Sequence, residues 1–144
     1  MSQPTYISGL LFSRAHALVR GRIQEILIEY SLNPSDWAVL GAALNAPEGI
    51  RLSSVAKDMG VKAPLVTMLA TQLIDSGLIT RVPHHSDKRA KLLIPTIKGR
   101  KLGLAIEEQL AKAIEELMSG VEDSDAKIFQ NTLETIITNA EKSQ

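Results

Sequence analysis

The side chains of this 144-residue chain that are equipped for chemistry are mostly cations, and they gather in its middle. Residues 51–101 hold ten basic side chains against three acidic ones, a net of +7. Residues 1–50 set three basic against four acidic, and residues 102–144 three against nine, so the whole chain is neutral. A basic centre between neutral and acidic ends suits one face to a polyanion. Lys62, Arg81, Lys88 and Lys91 are candidates for contact with phosphate oxygens, and their clustering is the argument. His84 and His85 beside Asp87 raise a metal site as the alternative. Neighbours on a strand point to opposite faces, and no third ligand stands at a usual spacing, so surface or phosphate contact is the preferred reading. No Ser/His/Asp set sits at a recognisable motif, and there is no glycine-rich phosphate loop and no carboxylate pair beside a base. The expectation is a protein that is not an enzyme and holds neither metal nor cofactor.

The elements that must carry these residues are mainly helical. Apolar residues recur at Ile7, Leu10, Leu11, Ala15, Leu18, Val19, Ile23, Ile26 and Leu27, a helical stripe over roughly 5–31. Asn33-Pro34-Ser35-Asp36 starts a second helix, with Asn33 at the N-cap, Pro34 in the first turn and Asp36 closing a capping box. Trp37, Leu40 and Leu44 follow on its inner face. Ile50-Arg51-Leu52 is long enough for one strand-like bridge. Ser53 is expected to cap a short helix that ends at Gly60. The next helix runs from Pro64 to Asp75, with Val66, Leu69, Ala70, Leu73 and Ile74 inward and Leu65, Thr67, Met68, Thr71, Gln72 and Asp75 outward. Two extended runs, 78–83 and 91–94, flank the polar loop 84–90 and predict a hairpin with a basic tip. Thr96 caps a helix over 97–119, and a last helix covers 124–141 with Ile128, Phe129, Leu133, Ile136 and Ile137 along one stripe.

Two short helices joined by a tight Met59-Gly60-Val61 turn and followed by a hairpin have the makings of a winged helix-turn-helix. The predicted fold is mainly α with a small β-hairpin, in a single domain over 1–144. Within it, residues 32–96 form a winged helix-turn-helix DNA-binding lobe, and residues 1–31 and 97–144 form a helical dimerisation region. The terminal stripes exceed what a centre of this size can bury, so a second copy of the chain is expected to cover them.

Composition sets the remaining bounds. At 44% apolar and 22% charged residues the chain can bury a core and stay in solution. No apolar run approaches the ~18 residues of a membrane span. Arg14, Arg20 and Arg22 break up what would otherwise be the apolar core of a signal peptide. The absence of cysteine excludes a thiol nucleophile, a disulfide scaffold and a Cys-ligated zinc site. The expected setting is the cytoplasm.

Three stretches in order resemble the MarR family of bacterial transcriptional regulators. Asp87-Lys88-Arg89, with Thr96-Ile97-Lys98-Gly99 beginning seven positions after Arg89, is similar to the family's D-x-R wing and L-T-x-x-G helix start. The run from Leu32 to Leu40 is similar to its L-T-x-x-Q-W-x-V-L stretch. Gly77-Leu78-Ile79-Thr80-Arg81 is similar to the G-L-V-x-R that leads into the wing. The resemblance implies a homodimer on a double-stranded, pseudo-palindromic DNA operator, acting as a repressor that a small aromatic or phenolic effector releases. It implies that Asp87 braces Arg89, which enters a narrow minor groove. Phe12, His16, Arg20 and Trp37, with Met68 nearby, are the candidates for an effector site, and Arg20 would pair an acid.

The chain departs from the family pattern in two places. Thr67 is kept, but Met68 and Gln72 stand where arginines are usual. That removes the side chains best suited to a bidentate guanine contact and leaves Gln72 for adenine and Met68, Leu65 or Thr71 for thymine methyls. Pro95 replaces a leucine, so the second wing strand must end there or lie at an edge. The rival to a regulator is a winged-helix protein-interaction dimer that has lost operator recognition.

Overall fold

The computed structural model describes residues 5–87 and 90–144, and the side chains from residue 9 onward. The elements run α1 (Thr5–Leu27), α2 (Pro34–Leu44), β1 (Ile50–Arg51), α3 (Leu52–Met59), α4 (Ala63–Asp75), β2 (Ile79–Pro83), β3 (Lys91–Pro95), α5 (Ile97–Leu117) and α6 (Asp123–Lys142). This is a mainly helical winged-helix fold, as the periodicities predict. By internal packing the chain divides into two compact units, Met1–Ala113 and Ile114–Gln144.

The start of α2 follows from two side chains. Asp36 N–H donates to Asn33 Oδ1 at 2.8 Å, and Asn33 N–H donates to Asp36 Oδ2 at 2.9 Å. Two backbone donors that a helix start leaves open are thereby satisfied, and Pro34 has no N–H to leave open. Gly60 ends α3 at φ 67°, a left-handed conformation in which a side chain would be strained. Thr96 caps α5 by accepting from Gly99 N–H at 3.0 Å, while its own hydroxyl donates to Gly77 C=O at 2.6 Å. A Cβ on Gly99 would overlap the Leu78 carbonyl, so glycine lets α5 begin hard against the chain leaving α4.

The start of α3 differs from the sequence expectation. Ser53 does not cap it; Arg51 is the N-cap and makes no side-chain bond. The reason is strand pairing. Ile50 and Arg51 pair antiparallel with Leu93 and Leu92, so two residues pair where the sequence predicts one bridge. Arg51 is thereby held extended, and the helix begins at the next residue. The sheet order is β1-β3-β2. β2 pairs with β3 from Ile79↔Pro95 to Pro83↔Lys91. Pro95 sits at the last position of β3, beyond the part that pairs with β1, which is where a residue without an N–H can stand.

The core of the first unit is one cluster. Leu27, Val39, Leu40, Val55, Val66, Leu73, Ile79, Leu93 and Ile106 are fully buried and come from α1 to α5 and both wing strands. The inward stripe of α4 is as predicted, with Val66, Leu69, Ala70 and Leu73 buried and Ile74 partly so. The second unit has no buried residue on α6. Its apolar stripe is left open within the single chain, with Ile128 62% and Ile137 57% exposed.

Candidate nucleic-acid interface

The helix-turn-helix presents α4 outward because α3 and α4 share the core. Val61 N–H donates to Ala56 C=O at 3.0 Å and Gly60 N–H to Lys57 C=O at 3.1 Å, which fixes the turn between them. With Val66, Leu69, Ala70 and Leu73 committed inward, the helical period places Pro64, Leu65, Thr67, Met68, Thr71 and Gln72 on the exposed side. Lys62 is the N-cap of α4 and is exposed. Met68 is 50% exposed and Leu65 38%. Thr67 Oγ1 donates to Ala63 C=O at 3.1 Å, and Thr71 Oγ1 to Thr67 C=O at 2.9 Å. The five DNA-facing candidates of this region, Lys62, Thr67, Met68, Thr71 and Gln72, are therefore brought to one surface. Arg51 and Lys57 are exposed on the neighbouring elements.

The wing is the second part. His84 N–H donates to Ala90 C=O at 2.9 Å, and Ala90 N–H to Asp87 C=O at 3.1 Å, so the hairpin pairing gives way to a closed tip. Ser86 N–H and Asp87 N–H both donate to His84 Nδ1, at 3.2 Å each. Nδ1 is then the acceptor, and the ring's proton belongs on Nε2. Lys88 and Arg89, the expected tip cations, lie outside the described residues, and Asp87 and Lys91 are exposed on either side. His84 and His85 do not point to opposite faces. Their rings stack with centroids 4.6 Å apart. Both residues lie past the end of β2, where strand alternation no longer applies.

Arg81 does not stand in the open with the other cations, as its charge alone would suggest. It is half-buried, and its Nε and Nη2 are sheltered without a hydrogen-bond partner. Its place explains this. Ile79 is buried on β2, and Arg81 follows two residues later on the same face, opposite the buried Leu93. The alternation from Ile79 is the signal in the sequence that could have placed it.

Of the effector candidates, the structure places Trp37 in a cleft and the other three elsewhere. A cleft of about 570 Å³ opens between α2 and α5, lined by Trp37, Gly41 and Leu44 on one side and Arg100, Gly103 and Glu107 on the other. Gly103 lets α5 approach Leu44, since a Cβ there would collide with that side chain. Phe12, His16 and Arg20 are exposed on α1 and do not line this cleft. The residues missed from the sequence are Arg100 and Glu107. They stand seven apart, on one face of a predicted helix. Among the described residues no group of three or more His, Asp and Glu side chains is placed to hold a metal ion. No helix among them is long and apolar enough to cross a membrane.

These features have counterparts in known proteins. Residues 32–91 match the model of the MarR family. A MarR-family transcriptional regulator from Rhodococcus sp. RHA1 superposes with a TM-score of 0.83 at 26% identity, over 94% of this chain and 96% of that one. CouR from Rhodococcus jostii RHA1, in a structure bound to p-coumaroyl-CoA, gives 0.85 at 29% identity, over 89% and 90%. MepR from S. aureus, in complex with DNA, shares the fold at 0.81 and 20% identity, over 95% and 99%. The likeness to the MarR family seen in the three sequence motifs is therefore present in the family match and in the fold of nearly the whole chain.

Proposed function

We propose that this chain, MarR-like in sequence and fold, is a sequence-specific DNA-binding transcriptional regulator that works as a cytoplasmic homodimer and represses until a small effector releases it. The observation that carries the reading is the α4 surface. A helix is anchored by four buried side chains, its outer face is open, Lys62 is exposed at its N-cap, and Arg51 and Lys57 are exposed on the elements that precede it. In this reading α4 enters the major groove and the wing reaches the adjacent minor groove. Lys62, Lys88 and Lys91 neutralise phosphates and so fix register without reading sequence. Arg89 occupies the minor groove, held there by shape and potential, and Asp87 keeps its side chain in place. Arg81, sheltered beneath the wing, acts by supporting the hairpin.

The domain scheme belongs to the same proposal. Residues 32–96 form the DNA lobe, and residues 1–31 and 97–144 make the dimer. Leu10, Leu11, Phe12 and Leu18 on α1, and Ile128, Phe129, Ile136 and Ile137 on α6, are all exposed in the single chain. Covering a side chain of this kind contributes about 1.5–3 kcal/mol, and a twofold partner presents the same faces in return. For release, the cleft at Trp37 is the site supported best. Trp37 supplies an aromatic wall and Arg100 a charge for an acidic group. The p-coumaroyl-CoA of CouR, a phenolic acyl thioester, supports an aromatic or phenolic effector class.

The test is selection of bound duplexes from a random pool, followed by gel shift on the winner. A recurring pseudo-palindrome supports the regulator. The rival reading, an interaction dimer that no longer reads DNA, is favoured by Met68 and Gln72, which leave α4 without a cation. It predicts that no sequence is enriched.

A further inference from the structure

We infer that α4 reads thymine methyl groups, and that the major-groove core of the operator half-site is A·T base pairs. This deepens the DNA-binding reading and rests on it. Hydrogen-bond donors on α4 decide between the bases. A guanine offers two acceptors in the major groove, O6 and N7, and must be met by two donated hydrogen bonds. The span Ala63–Asp75 contains no lysine or arginine. Pro64, Leu65 and Met68 have no side-chain donor. The hydroxyl protons of Thr67 and Thr71 are already given to Ala63 C=O and Thr67 C=O. What these two threonines keep for a groove is a methyl and lone pairs. Gln72 is then the one side chain of this outer face with a free donor, and its amide matches the N6 donor and N7 acceptor of adenine.

Apart from the exposed Asp75 at its C-terminal end, the rest of the face is apolar and open. Leu65 and Met68 are exposed, and Leu65, Met68 and the methyl of Thr71 follow one another at one-turn intervals. The feature of a base edge that answers such a surface is the thymine C5-methyl. The cations needed to bring a duplex there lie outside the helix, at its N-cap Lys62 and at the exposed Arg51 and Lys57 of the preceding elements. Affinity and base choice are thus separated: cations outside the helix hold phosphates, and a helix that carries no cation chooses bases by methyl contact and one amide.

The experiment uses the full-length chain and the duplex it selects. Thymines of the core are replaced one at a time by uracil, which removes the methyl and leaves every hydrogen-bonding group. The expected result is affinity reduced about fourfold for each contacted methyl, the value of one buried carbon, with the salt dependence unchanged. The same replacements are then measured with Met68→Ala and with Thr71→Ser, which keeps the hydroxyl and drops the methyl. Each variant should become indifferent to uracil at the position its side chain touches. Since the probe alters the DNA, the wild-type result does not depend on whether a variant folds. Uracil duplexes bound as tightly as thymine duplexes, or a selected core of G·C pairs, would overturn the inference and leave the regulator intact. Failure to select any sequence would overturn the regulator and this inference with it.

Discussion

The lobe between α2 and β3 and the helices at the two ends of the chain answer the same hydrophobic demand in different ways. In the lobe the apolar residues find each other. Val39, Leu40, Val55, Val66, Leu73 and Leu93 are closed off from solvent by elements that follow one another in sequence. On α6 they do not, and Phe129, Ile136 and Ile137 are left on the surface. On α1 the stripe is buried only at its end, at Ile26 and Leu27, while Leu10, Leu11 and Leu18 stay open. A core closed jointly by α1 to α5 and the wing strands can hold α4 and the wing in fixed positions. In the proposed dimer the open stripe of α6 is covered by a second copy, and its stability becomes a property of the assembly. The proposed dimer separates a self-contained core from helices whose packing depends on a partner.

That contrast can be broken at several points. Deleting residues 124–144 should have the largest effect and give a monomer or an aggregate by light scattering. A truncated chain that stays dimeric and well folded would remove the distinction. Leu73→Ala should cost about 2–5 kcal/mol in urea denaturation, the range for an emptied core site. Ile137→Ala should leave the unfolding of the dissociated chain nearly unchanged and weaken dimerisation. Equal effects of the two on the monomer would show that α6 is as much core as the lobe. Gln72→Ala should relax base choice at one position, at a cost of ~1–3 kcal/mol against the right base. Arg89→Ala should weaken binding most where an A·T-rich minor groove flanks the half-site. Asn33→Ala should be the smallest change, about 1 kcal/mol of stability from removal of the cap, with DNA selectivity unaltered.

Much of the lobe was legible in the sequence because its signals are local. The Asn33–Asp36 box, the Gly60 turn and the Thr96 cap each rest on groups within a few residues of one another, and the 3.6 period of α4 separates its two faces. What was not legible depends on partners distant in the chain. Ser53 has the look of a cap because nothing local announces that β3 will hold Arg51 extended. Arg81 has the look of a surface cation as long as its charge is weighed and its strand register is not. The stacking of His84 on His85 follows from a strand that stops at Pro83. The cleft at Trp37 escapes for the same reason: Arg100, Gly103 and Glu107 meet it only because α5 crosses α2. In the candidate site, the outward face of α4 can be read residue by residue. The use of its threonine protons cannot, since a back-bonded rotamer leaves no mark in sequence.

The central claim, that the basic middle of the chain meets DNA, stands most directly on the salt dependence of binding to the selected duplex. If the dimer neutralises about six phosphates, log K should fall against log salt with a slope near −5, following ~0.9 per phosphate. The slope should become shallower by about one unit for each phosphate that the dimer no longer neutralises, as in Lys62→Ala or Lys91→Ala. A flat response with binding intact would contradict the assignment of the basic middle, residues 51–101, as the face that meets DNA.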